Sequence, residues 1–310
     1  MSSAVVRPAI PTPFTQVVAG RVRVLCCHRA RLSLESPPNS LSGVRECIAA
    51  DAPRIEIDVR FTSDDVPVVF HDATLDHDTD GAGAIFEHDA AALGRFKLRD
   101  RDEGIPRLEE VLDLLRGTST RLQVDLKPLA PLTSNQVSAL RGVLEPFGEQ
   151  VLLGSQAYWS LRAFEGSAVP LAFDPTLLFG SLPWIGEHAG LHPHDVGPEG
   201  LRDDHPLARL RGRDVRAYIE CRLDDFCRTL AGVRELMVNT DTILLASRLG
   251  VSMGDYLAGH GVELSAWTLS DGGAADTVAL MTRLFEAGVT TLITDDPLAL
   301  SGYLAPISSR

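Results

Sequence analysis

Arg54-Ile55-Glu56-Ile57-Asp58-Val59-Arg60-Phe61-Thr62-Ser63-Asp64-Asp65-Val66-Pro67-Val68-Val69-Phe70-His71-Asp72 reads as two extended runs joined by a polar turn at Thr62 to Val66, the pattern of a β-hairpin. Side chains alternate along a strand, so Glu56 and Asp58 share one face while Ile55, Ile57 and Val59 share the other. Two carboxylates side by side on a face that should be apolar are costly to bury unless positive charge sits between them. A divalent cation meets that need, and hard oxygen donors suit Mg²⁺ or Ca²⁺. His71 stands at the far end of the hairpin, placed to fold back over the same face.

Working outward, the same extended signal recurs. Strands are predicted to start near residues 22, 54, 121, 151, 169, 235, 262 and 290, each followed by a crossover. Helical periodicity falls over Leu108–Leu115, Asn135–Leu144, Tyr158–Phe164, Met253–His260 and Ala274–Ala287. Eight β/α units in one chain point to an α/β fold of the TIM-type (β/α)8 barrel, with the return strand of the hairpin as an extra after strand 2. Residues 1–20, with Pro8, Pro11 and Pro13, are expected to be a non-cleaved N-terminal extension, and 21–310 a single barrel. The stretch 174–234 is too long for a plain crossover and is expected to be an insertion covering part of the barrel mouth. It carries Leu177, Leu178, Phe179, Trp184 and Ile185, apolar residues that a solvated loop does not need, and His188, His192, His194 and His205, which have no element to fix them as a metal site. Asp76, Asp78 and Asp80 have the spacing of a calcium loop but lack its closing Glu.

A chain of 310 residues with 45% hydrophobic content can bury a large core. Its formal charge of −13 disfavours nucleic acid and anionic membrane surfaces as general partners, without excluding a small phosphorylated one. Five cysteines in no zinc-like spacing, and odd in number, point to a reducing, cytoplasmic setting rather than a disulfide framework. No apolar stretch is long enough to span a bilayer, so no stable membrane insertion is expected; oligomeric state is left open.

Barrel chemistry gathers at the C-terminal ends of the strands. His28-Arg29 ends the first predicted strand, Glu56 and Asp58 the second, Asp125 and Lys127 the third. Three successive strands thus deliver charge to one rim, which packing alone does not require. These pieces, with Pro67-Val68-Val69-Phe70-His71-Asp72, Gly81-x-Gly83, Ile105-Pro106-x-Leu108-Glu109-Glu110, Ala266-Trp267-Thr268 and Leu292-Ile293-Thr294-Asp295-Asp296-Pro297, resemble in their order the glycerophosphodiester phosphodiesterases of the phospholipase-C-like barrel superfamily. The resemblance runs over roughly residues 22 to 304.

That resemblance implies a metal-dependent phosphodiesterase acting on a small-molecule phosphate ester. It assigns Glu56, Asp58 and Asp125 to one divalent cation, Mg²⁺ or Ca²⁺, His28 and His71 to acid–base catalysis with His71 as the acid, and Arg29 and Lys127 to the substrate phosphate; Asn39 and Trp267 fall in the pocket. Three positions depart from the family pattern: Ala30 follows His28-Arg29 where the family has Gly, Pro38 stands where it has Glu, and Asp125 stands where it has Glu. Asp at that last position also resembles the sphingomyelinase D branch, which forms a cyclic phosphate, so a lyase or cyclase is the alternative; a non-catalytic binding barrel is a further one. Pro38 and the apolar residues of 174–234 lead to the expectation that small glycerophosphodiesters are poor substrates beside larger or more apolar esters.

Overall fold

The computed structural model describes residues 12–178 and 215–307, apart from Ala19, Asp100 and Asp271. The alternating segments form strands β1 (Thr15–Val18), β2 (Arg21–Cys27), β3 (Arg54–Phe61), β4 (Pro67–Val69) and β5 (Arg121–Leu126) in the first half. In the second half they form β6 (Val151–Ser155), β7 (Leu171–Phe173), β8 (Val233–Asn239), β9 (Glu263–Leu269) and β10 (Thr291–Thr294). The sheet order is β1-β2-β10-β9-β8-β7-β6-β5-β3-β4, and a further pairing of β2 with β3 closes it. Only β1 on β2 and β4 on β3 are antiparallel; the remaining strands make the closed eight-stranded parallel barrel predicted from the sequence. The closing seam is short: β2 meets β3 only at Cys26↔Arg54 and Cys27↔Ile55, whereas β3 pairs with β5 from Arg54↔Arg121 to Val59↔Leu126.

The alternation explains the layers. Ile55, Ile57, Val59, Leu122, Val124 and Leu126 point outward into the main core against the helices. Helix Leu108–Leu115 buries Leu108, Val111, Leu112 and Leu115, the stripe read from its spacing. A second cluster of Val68, Phe70, Leu75, Ile85, Leu93, Leu98 and Ile105 forms beneath the segment that follows the hairpin, and stands beside the barrel mouth. Inside the barrel, Leu152, Ala172 and Met237 pack with Trp267. Gly154 makes room for this layer, since a Cβ there would lie 2.7 Å from the Met237 methyl.

Two sequence boundaries are redrawn. Phe14 is buried in the main core and β1 pairs with β2, so part of the 1–20 stretch is built into the barrel. Within 174–234, the helix Val215–Thr229 buries Ile219, Leu223 and Phe226 and is the crossover into β8. Residues 179–214, with Phe179, Trp184, Ile185 and all four histidines named there, lie outside the described residues. Among the described residues no helix is long and apolar enough to cross a membrane.

Candidate active site

At the end of β2 the chain makes a single 3₁₀ turn, His28–Ala30, in which Arg29 (φ 51°) and Ala30 (φ 56°) both take the left-handed conformation. Each such non-glycine residue costs roughly 1–2 kcal/mol, so Ala30 occupies a position that glycine would fill with less strain. The turn turns the Arg29 N–H onto Glu56 Oε2 at 2.8 Å and brings His28 Nε2 within 3.8 Å of the same oxygen. Helix Leu41–Ala49 holds the turn from below: a Cβ on Gly43 would lie 2.6 Å from the Ala30 carbonyl oxygen, an approach only glycine permits.

Asn39, also left-handed (φ 51°), donates its backbone N–H to the Arg29 carbonyl at 2.7 Å. Its side chain clamps Asp58 at two points: Nδ2 donates to Asp58 Oδ2 at 2.7 Å, and Oδ1 accepts the Asp58 N–H at 3.1 Å. Asn tolerates this backbone conformation better than most residues, which makes it apt for the task.

The register sets Glu56 opposite Gln123 and Asp58 opposite Asp125, so the inward stripes of β3 and β5 run level. Glu56, Asp58 and Asp125 each offer an oxygen, all within 4.8 Å of one another, the one such acidic or histidine-containing group among the described residues. Lys127 Nζ lies between two of them, 2.8 Å from Asp58 Oδ1 and 2.7 Å from Asp125 Oδ2. Arg29 Nε is 3.4 Å from Asp58 Oδ2.

These neighbours split the acids. Burial works to raise the Asp58 carboxyl, but Lys127, His71 and Arg29 outweigh it and hold Asp58 well below the usual range. Burial, then the Asp58 charge, pushes Glu56 up to about 7. Burial opposes the charge on Lys127, but Asp125, Asp58 and Glu56 raise its pKa. Asp58 Oδ1 is buried and, despite its closeness to Lys127, makes no hydrogen bond. Three converging hard oxygens, one of them without a hydrogen bond, and an acid pushed up by burial and by its neighbour fit a divalent cation.

The two histidines differ in setting. His28 Nδ1 is 2.9 Å from Asp295 Oδ1, an acceptor that fixes the proton on Nδ1 and turns Nε2 to the site. Burial acts to lower the His28 pKa, but Asp295 and Glu56 prevail and raise it. His71 follows β4, where Phe70 N–H bonds the Asp58 carbonyl at 3.0 Å and Arg60 Nε donates to the His71 carbonyl at 2.7 Å. Its Nδ1 is 2.6 Å from Asp72 Oδ1, yet burial, with Arg29 and Lys127, lowers its pKa.

A cavity of about 220 Å³ lies among His28, Glu56, His71, Lys127 and Trp267. Every predicted site residue therefore falls at one end of the barrel, with Asn39 behind Asp58 and Trp267 in the cavity wall. Sequence reasoning gave no role to Asp295, although it stands in the quoted Thr294-Asp295 run, nor to Asp174 and Gln156, which also line the cavity. Burial pushes Asp174 up to about 6 even though Thr176 and Gln156 bond its carboxylate. Asp76 and Asp80 accept backbone N–H groups from Gly83 and Lys97 and serve as turn residues.

Residues 28–140 match the Glycerophosphoryl diester phosphodiesterase family. A mouse glycerophosphodiester phosphodiesterase 1 is 36% identical over 141 residues, which are 43% of this chain and 41% of that protein. The glycerophosphodiester phosphodiesterase of Caldanaerobacter subterraneus subsp. tengcongensis is 27% identical over 89% of this chain and 96% of its own. Among solved structures, an Oleispira antarctica phosphodiesterase in complex with the product sn-glycerol-3-phosphate superimposes with a TM-score of 0.62 at 19% identity, over 91% of this chain and 96% of that one. The glycerophosphodiester phosphodiesterase of Thermotoga maritima gives 0.60 at 17% identity, over 90% and 97%. The family resemblance read from the motifs and the barrel fold are thus both borne out, while this chain spans less than half the length of the mammalian relatives it matches.

Proposed function

We propose, for a chain that carries the fold and, over residues 28–140, the sequence pattern of the glycerophosphodiester phosphodiesterase family, that it is a metal-dependent phosphodiesterase of small glycerophosphodiester-type substrates. The observation that carries this reading is the convergence of Glu56, Asp58 and Asp125 at a cavity that is lined by Glu56, Asp125, two carboxylate-oriented histidines and two cations. Glu56, Asp58 and Asp125 would hold the cation, Mg²⁺ or Ca²⁺, which when bound supplies charge stabilisation to the phosphoryl oxygens. Lys127 and Arg29 are placed to add to it, and each already leans on Asp58.

His28 and His71 divide the proton transfers. His28 belongs to the inner cavity, and its Nε2 is the atom free of Asp295 to take a proton from the attacking oxygen. His71 lines both this cavity and the groove beside it, the route open to a departing alcohol, and there it returns a proton to the leaving oxygen. Asp295 and Asp72 keep each ring in the tautomer that presents Nε2.

The test is turnover of glycerophosphodiesters after exhaustive chelation and after readdition of Mg²⁺ or Ca²⁺, run in ¹⁸O-water. The expected result is loss on chelation, recovery on readdition, and label in the released phosphomonoester. Full activity in chelator would refute metal dependence, and a label-free cyclic phosphate would establish the cyclase alternative instead. Removal of His28 or His71 should each cost on the order of 10²–10⁴ in kcat.

A further inference from the structure

Beside the catalytic cavity opens a second one of about 300 Å³, which shares Arg29 and His71 with it. Four guanidinium groups line this groove, those of Arg29, Arg31, Arg99 and Arg101, against two carboxylates, Glu35 and Asp78. Such a cationic excess is unusual ground in a chain of net charge −13. How these arginines are held matters more than their number. Arg99 donates Nη2 to the Asp76 carbonyl at 3.0 Å and Nε to the His77 carbonyl, and Arg101 donates Nη2 to the Glu35 carbonyl at 3.2 Å.

Main-chain carbonyls orient a guanidinium without cancelling its charge, as a carboxylate would. Among the described residues, neither Arg99 nor Arg101 stands within ion-pair distance of an acid. Arg31 donates to the Leu34 carbonyl, is 3.7 Å from Asp295, and keeps a buried Nε with no hydrogen-bond partner. Pro38, on the groove wall, contributes no charge of its own.

Resting on the phosphodiesterase reading above, we propose that this groove is an anion subsite for the leaving alcohol, selecting diesters whose alcohol itself carries a phosphate or carboxylate. A diester centred at the carboxylate cluster, with its leaving oxygen at His71, directs its alcohol into the groove because His71 belongs to both cavities. An acidic group there meets oriented guanidiniums, the geometry suited to oxyanions. A quaternary ammonium in the same place meets like charge. The sequence-based expectation of an apolar alcohol rested on Pro38, which lines this groove with the arginines, and on the apolar residues of 174–234, of which Phe179, Trp184 and Ile185 lie outside the described residues and Leu178 packs against the main core.

The experiment compares four glycerophosphodiesters, with glycerol phosphate, glycerate, glycerol and choline as the leaving alcohols, on the metal-supplemented wild type and on Arg99→Gln/Arg101→Gln. The expected result is that the two acidic alcohols exceed choline by about 10-fold or more in kcat/KM at low salt, the advantage shrinking as salt rises. The double variant should lose most of that advantage while its choline rate stays within about 2-fold of wild type. Preference for choline, or an equal fall on all four substrates, would overturn the proposal. Binding without turnover separates it from the reading beneath it. Propane-1,3-diol bisphosphate, which has no diester to cleave, should bind the wild type about 10-fold more tightly than glycerol 3-phosphate, and the double variant should erase the difference. If the wild type cleaves no diester yet shows this binding pattern, the phosphodiesterase reading falls and the anion subsite stands. Equal affinity for the two ligands sinks the subsite whatever the turnover.

Discussion

Two ionic groups are buried in this one barrel, and they differ in how completely they satisfy themselves. Near the strand starts, Arg54 meets Glu235 in a two-pronged pair, Nη1 to Oε2 and Nη2 to Oε1, each at 2.8 Å. Nη2 also donates to Gln123 Oε1 at 2.6 Å. Burial opposes the charge on Glu235, but Arg54 outweighs it and lowers the pKa. Near the strand ends, three acids face two cations, one acid is forced up to about 7, and a buried oxygen has no hydrogen bond. A pair that closes on itself has nothing left to offer a ligand. Buried charge alone therefore does not mark a site; buried charge left incomplete does.

The largest expected effect is at the self-satisfied end. Arg54→Met leaves Glu235 ionised and unpaired in the interior and should cost about 3–5 kcal/mol in chemical denaturation, while Arg54→Met/Glu235→Leu recovers most of it. Activity per folded molecule should be unchanged in both. A rate loss in the double variant at full stability would erase the distinction drawn between the two groups.

At the other end the pattern inverts. Asp58→Asn should lower kcat by about 10²–10³-fold, or roughly 2.7–4 kcal/mol of barrel-end electrostatics. In chelator it should also lower the melting temperature, because an amide replaces the buried carboxylate that pairs with Lys127 and Arg29, and added Mg²⁺ or Ca²⁺ should no longer raise it as in wild type. An unchanged rate would remove Asp58 from the site.

A smaller effect sharpens the contrast through pH. Glu56 titrates near 4.5 when unfolded and at about 7 when folded, so between these values the folded state binds more protons. The Glu56 share of metal-free stability is then fully present below about pH 4.5 and is lost as pH rises through that window, by on the order of 1–3 kcal/mol. The raised His28 pKa acts in the same direction at the upper end. Denaturation in chelator at pH 5 and pH 8, comparing wild type with Glu56→Gln, isolates the share of Glu56. Equal pH slopes in the two proteins would mean that Glu56 is not held at a cost.

The smallest change is Ala30→Gly. It relieves a left-handed alanine at roughly 1–2 kcal/mol but gives back about 0.4–1 kcal/mol in unfolded-chain freedom, so a net gain of around 1 kcal/mol or less is expected, with kcat unchanged. A destabilised variant would show that the buried Ala30 methyl matters more than its backbone angle.

Much of this was legible in sequence because a strand has a period of two. The alternation through Ile55, Ile57 and Val59 and through Leu122, Val124 and Leu126 located the outer core, and so exposed Glu56, Asp58 and Asp125 as inward acids. What alternation cannot supply is which distant element lands opposite. Asp295 reaches His28 only because the barrel closes β10 against β2, and Glu235 reaches Arg54 across the interior. Arg54 stood on the same stripe as Glu56 and Asp58, but its partner lay 181 residues away. The Asn39 clamp depends on three left-handed residues whose backbone angles no side-chain pattern reports.

The shortness of the β2–β3 seam has a consequence for how the molecule breathes. With backbone pairing limited to Cys26↔Arg54 and Cys27↔Ile55, the join is continued by side chains: Glu56 takes the Arg29 amide, and Asn39 takes the Asp58 amide. Those two amide protons are guarded by side chains in and beside the carboxylate cluster instead of by a ladder. Their exchange with deuterated solvent should therefore follow the state of the cluster, fast when Asn39 is replaced by Ala and slow when the cluster binds its ligand, while amides between β3 and β5 exchange at the global limit throughout. The barrel is fastened along that edge by the side chains of Glu56 and Asn39 as well as by backbone pairing.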